Sequence, residues 1–111
     1  MKKFIELKEN ETRNNFLKIE TAYNLGGYNV FTHKAEARGY YLSVSPVERS
    51  TREGITFESY TAFSGVKIYL LEVTRKSKKA EERAEQLAAE HENELIAYIC
   101  GRYGLEVLPG E

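Results

Sequence analysis

The chain of 111 residues has no tryptophan, a single cysteine, two prolines and two histidines. Each scarcity excludes something. One cysteine cannot close an internal disulfide or build a cysteine-based metal site, which fits a reducing compartment. The prolines, Pro46 and Pro109, stand apart, so there is no proline-rich linker. No apolar run approaches the roughly 18 residues of a membrane span. The first residues, Met-Lys-Lys-Phe-Ile-Glu-Leu-Lys-Glu, carry a charge at every second or third position, unlike the apolar stretch of a secretory signal. A cytoplasmic location and no membrane partner are therefore expected. Lysine and arginine number 16 against 17 acids, a net charge of −1, which argues against indiscriminate polyanion binding.

What is abundant is aromatic: eight tyrosines and five phenylalanines. Before residue 75 these lie among Val, Ile and Thr, with Gly and Asn between the runs, the chemistry of strands and turns. Ile5 and Leu7 alternate with charges. Leu17, Ile19, Thr21, Tyr23 and Leu25 share one side of a run over 16–25, with Lys18, Glu20 and Asn24 on the other. Gly26-Gly27 then suggests a tight hairpin into Tyr28–His33, because a primed turn needs positive φ at both central positions. Tyr40–Val47 alternates again and should end or reach an edge at Pro46, which cannot donate to a ladder. Ile55–Phe63 follows, with Ile55 and Phe57 facing inward.

Residues 66–74 fit two patterns. Leu71 and Val73 alternate with Glu72 and Thr74 as in a strand. Val66, Tyr69, Leu70 and Val73 form a helical stripe with Ser64 as its cap, and this reading is slightly favoured. From Ser77 to about Tyr103 the helix is the clearest element. Ala80, Ala84, Leu87, Ala88, His91, Leu95, Tyr98 and Ile99 recur on one side, Ser77 is placed to cap it and Gly104 to stop it. Residues 105–108 can add a short terminal strand. The expected fold is α+β in one domain: a four- or five-stranded antiparallel meander, covered on one face by the long C-terminal helix.

No catalytic set emerges from spacing. His91 lies on the apolar helix stripe, as a core-edge histidine would. Cys100 sits at a helix end with no histidine to activate it. The glutamates of the helix read as a solvated face, Gly26-Gly27 lacks the pattern of a phosphate loop, and nothing has metal-ligand spacing. No cofactor is expected, and an enzyme is less expected than a binding protein. The strongest charge signal is Arg75-Lys76-Ser77-Lys78-Lys79. It is either a solvated junction or an anion contact, with Arg38, Arg49 and Arg52 as a looser second basic group. The helix after it carries six acids between Glu81 and Glu94, so the charge is polarised.

A second candidate surface is the sheet face away from the helix. If Leu17, Ile19, Tyr28, Val30, Leu42, Val44 and Phe57 pack inward, Phe16, Phe31, Tyr41 and Tyr60 face out, as a stacking or docking surface would. Three functions follow. The first is a non-enzymatic binder of a protein or nucleic acid through the basic cluster and the aromatic face. The second is a ligand-binding or enzymatic domain using His33, Arg38 and Tyr41. The third is a homodimer through the aromatic face.

Five short strings between residues 28 and 80 stand out: Tyr28-Asn29-Val30-Phe31-Thr32, Arg38-Gly39-Tyr40-Tyr41-Leu42, Ser45-Pro46-Val47, Ala62-Phe63-Ser64-Gly65 and Arg75-Lys76-Ser77-Lys78-Lys79-Ala80. In them the sequence resembles a family of small uncharacterised proteins encoded on bacterial mobile elements, such as conjugative transposons and prophages. The resemblance implies an accessory protein of an intracellular bacterial setting and carries over no catalytic residues.

Overall fold

The computed structural model describes residues 2–9, 15–60 and 65–108, Tyr60 by its backbone alone. Its elements are β1 (Lys2–Glu6), β2 (Phe16–Asn24), β3 (Gly27–Asn29), β4 (Lys34–Glu36), β5 (Gly39–Arg52), β6 (Ile55–Tyr60), β7 (Val66–Glu72) and α1 (Lys78–Tyr103). The fold is α+β, an antiparallel five-stranded sheet packed against one long C-terminal helix.

The 14-residue β5 is the spine of the sheet. On one side it pairs with β2 from Gly39 to Val47, and β1 lies beyond β2. On the other side β7 pairs with its first half and β6 with its second, so β6 and β7 lie end to end along one edge. Pro46 does not end the strand. Its outer neighbours step from Val44↔Val66 to Val47↔Tyr60, so Pro46 falls where the outer ladder has a gap among the described residues. A residue without an N–H is tolerated at such a gap.

Residues 66–74 correct the favoured helical reading: Val66–Glu72 is a strand. The apolar stripe is real, but pairing with β5 satisfies the backbone and still buries Val66, Ile68 and Leu70 against the core. A bulge opposite Tyr40/Tyr41 inserts Leu70 as an extra residue. Ser64, the expected cap, lies outside the described residues, as does Phe63.

The Gly26-Gly27 hairpin is also corrected. β2 pairs with β5, and residues 25–38 leave the sheet as a separate two-stranded arm, β3 with β4. Its turn lies at 30–33, where Asn29 Oδ1 accepts from the amides of Phe31 and Thr32 at 2.9 and 3.1 Å. His33 takes the left-handed conformation there, with φ 56°.

The helix follows the expected boundaries. Ser77 Oγ accepts from the amide of Ala80 at 3.1 Å, and Gly104 ends the helix with φ 64°. Leu17, Ile19, Leu42 and Val44 are fully buried beneath Ala88 and Ile99. The alanine side chains let the helix backbone approach the sheet. Complete burial of each large aliphatic contributes about 1.5–3 kcal/mol. After the helix, Leu7 bridges Val107, and the Lys8 amide donates to the Glu106 carbonyl at 2.8 Å, so the terminal segment extends the sheet beyond β1.

Three residues assigned to the core from sequence are exposed. Tyr28 and Val30 ride on the arm, and Phe57 lies on the β5–β6 hairpin. Ile55, read as facing inward, is exposed on the same hairpin. Strand alternation put Ile55 and Phe57 on the helix side, opposite Arg52 and Ser50, but could not show that this hairpin runs past the helix or that Tyr28 and Val30 leave the main sheet.

Candidate functional site

The face of the sheet opposite the helix holds alternate residues of β1, β2 and β5. It carries a chain of charges. Glu58 of β6 binds Lys18 and Lys2, each at 2.8 Å, and Lys18 also reaches Glu20 at 3.3 Å. Lys18 is buried. The two ammonium groups, Lys18 first, hold the Glu58 carboxyl below its ordinary pKa. Nearby, Arg49 of β5 lies 4.3 Å over the Phe4 ring, and Phe4 meets Phe16 edge to face. In the sheet, β2 separates β5 from β1, so these contacts require the β5–β6 hairpin to coil over this face. Strong twist is usual in a long two-stranded ribbon.

The aromatic face is thus divided. Phe16 packs on Phe4, and Tyr41 packs on Tyr69 with Lys67 above both rings. Phe31 is not on this face at all: it stands at the tip of the arm. The Tyr60 side chain lies outside the described residues. The basic candidates are dispersed too. Arg38 precedes β5 and Arg52 ends it, so the two lie at opposite ends of the 14-residue strand. Arg38 donates to the carbonyls of Leu25 and Thr74, and Arg49 is committed to Phe4.

Arg75, Lys76, Lys78 and Lys79 do gather at the start of α1, all exposed. Lys76 sits 5.2 Å over the Tyr23 ring and lines a cavity of about 260 Å³ shared with Thr21, Tyr40, Glu20, Glu81 and Glu85. Acids therefore surround the most structured cation of the cluster. His33 is exposed at the arm's turn, Arg38 is engaged at the arm's base and Tyr41 lies against Tyr69, so no common pocket unites the three. His91 Nδ1 faces Glu94 at 3.4 Å, and burial raises the Cys100 thiol pKa, which keeps it protonated. Among the described residues no cluster of His, Cys, Asp or Glu could hold a metal ion, and no helix is long and apolar enough to cross a membrane.

Sequence reasoning missed the most conspicuous surface. The arm exposes Leu25 (71%), Tyr28 (63%), Val30 (64%) and Phe31 (91%). Its base is fixed: Asn24 Nδ2 donates to Glu36 at 3.2 Å and to the Tyr69 hydroxyl at 2.9 Å, and Arg38 spans to Leu25 at 2.8 Å. The available signal was the density of turn-forming residues ahead of the short apolar run, Asn24, Gly26, Gly27 and Asn29.

No family model, curated protein or solved structure matches the chain.

Proposed function

We propose that this chain is a non-enzymatic interaction protein that engages a protein partner through the β3–β4 arm. The setting proposed is the intracellular one its resemblance implies, as an accessory protein of a bacterial mobile element. One observation supports this reading above the rest: four large apolar side chains stand exposed on an arm whose base is tied by side-chain hydrogen bonds. Such a grouping on a small domain marks a contact surface, and an aromatic tip is the kind of anchor that dominates interfaces. A protein partner fits better than nucleic acid because the arm is apolar, while Arg38 is engaged at its base and Lys76 shares its cavity with acids.

The test is an affinity capture from bacterial lysate, with and without nuclease, comparing wild type with Tyr28→Ser/Phe31→Ser. Retention of a discrete protein that survives nuclease and is lost in the double variant, with unchanged circular dichroism, supports the reading. Retention that needs nucleic acid, or that falls with Lys78→Glu/Lys79→Glu instead, overturns it.

A further inference from the structure

β1 covers only part of β2. It pairs with residues 16–20, and among the described residues no strand lies beside β2 on that side beyond Glu20. The uncovered stretch is Thr-Ala-Tyr-Asn, without the proline or charge that usually blunts a sheet edge. Along it runs the cavity of about 260 Å³, between residues 21–23 and the first turns of α1, with Glu81 and Glu85 on its helix wall. Lys76 rests on the Tyr23 ring there, so the aromatic floor already receives an ammonium group. The Thr21 hydroxyl oxygen is buried and has no hydrogen-bond partner among the described residues.

The occupant that fits is an extended, basic segment of a protein partner, and β1 shows how it would sit. Lys3 lies opposite Ile19 on the helix side of the sheet, and its ammonium pairs with Glu92 of α1. Four residues further along β2, about 14 Å away, Tyr23 takes the same side. Glu85 and Glu81 precede Glu92 by seven and eleven residues, roughly 10 and 16 Å back along the helix axis, and both spacings return to nearly the same helix face. The two acids therefore bracket the position opposite Tyr23, as Glu92 marks the one opposite Ile19. A strand continuing the line of β1 offers its backbone to the free edge and sets a lysine or arginine there, repeating the Lys3–Glu92 pair further along the helix. An acidic side chain at that place meets two carboxylates, so the site selects a basic partner. A polar side chain over Thr21 also gives its hydroxyl a partner.

We propose that the edge of β2 at residues 21–24 accepts a basic, extended peptide strand in line with β1, its lysine or arginine held by Glu81 and Glu85. The arm carries none of these residues, so this contact stands or falls apart from it. The test is fluorescence anisotropy of a labelled peptide of alternating threonine and lysine, titrated with the full chain at low salt up to about 1 mM, the weak limit of specific association. Wild type should bind it. Glu81→Gln/Glu85→Gln should weaken binding about tenfold or more. Glu82→Gln/Glu90→Gln, which removes the same charge from exposed positions on other faces of α1, should not. The same peptide with its backbone amides N-methylated should fail to bind, because strand addition needs backbone donors. Should the Glu81→Gln/Glu85→Gln variant unfold by circular dichroism, Glu81→Gln alone, at an exposed position, carries the comparison. No binding by wild type, an equal loss in Glu82→Gln/Glu90→Gln, or undiminished binding of the N-methylated peptide overturns the proposal.

Discussion

Arg38 Nε donates to the carbonyl of Leu25 at 2.8 Å, closing the base of the arm with one side chain. Its Nη1 also reaches the Thr74 carbonyl at 3.4 Å, so the same guanidinium links the arm to the junction before α1. A residue read from sequence as an anion contact is thereby occupied in tying three segments together. Arg38→Ala should cost about 1 kcal/mol of global stability or less, the scale of an exposed hydrogen bond. The larger effect should be local: amides of 27–36 should exchange faster by hydrogen–deuterium mass spectrometry while those of α1 do not change. Uniform acceleration across the chain would show that Arg38 supports the whole fold instead.

The contrast between Arg38 and Ser77 shows what the sequence could and could not convey. Ser77 and Gly104 act within one or two turns of the chain, and the helix they bound was legible from local spacing. So was the buried face of Leu17, Ile19, Leu42 and Val44, because alternation marks a side without needing a partner. Arg38 binds residues 13 and 36 positions away, which no local pattern specifies. The same holds for β7, where a bulge matched to Tyr40 and Tyr41 decides between two local patterns of similar quality. Phe31 was grouped with Phe16, Tyr41 and Tyr60 on the assumption that its strand pairs in the main sheet. The arm turns out of that sheet, and the grouping goes with it.

Glu58 should make stability fall in acid. Its folded pKa lies below the ordinary value of 4.5 because Lys18 and Lys2 stabilise the carboxylate. A lowered folded pKa means that the contribution is present above the unfolded value and is lost as pH falls through the folded one. Glu58→Gln should therefore flatten the decline of urea-measured stability below about pH 4.5. At neutral pH the variant should lose about 1–3 kcal/mol, because the buried Lys18 loses its charged partner at 2.8 Å. Adding Lys18→Met should recover part of that loss, since an apolar side chain there needs no partner. If Glu58→Gln leaves the acid limb unchanged, other carboxylates set it.

Cys100 should react slowly. Burial raises its thiol pKa, and the thiolate is the nucleophile, so both access and ionisation oppose alkylation at neutral pH. Iodoacetamide labelling followed by mass spectrometry should proceed well below the rate for unfolded chain in urea and rise with pH. Rapid labelling of the folded protein would mean that the end of α1 opens readily.

Gly39 and Gly54 both have positive φ, 152° and 78°, yet alanine should affect them very differently. A Cβ at Gly54 meets nothing within 4 Å, so Gly54→Ala should cost only the backbone strain, about 1 kcal/mol. A Cβ at Gly39 would lie 2.1 Å from the Leu71 carbonyl oxygen and 2.9 Å from the Glu72 Cα. Both atoms are backbone, so β7 itself must move, and its ladder with β5 and its packing on the helix side are disturbed together. Gly39→Ala should therefore cost more than about 3 kcal/mol, in the range reserved for strain combined with overpacking. Urea unfolding of the two variants side by side measures the difference. Similar losses at both positions would mean that β7 yields easily at Leu71.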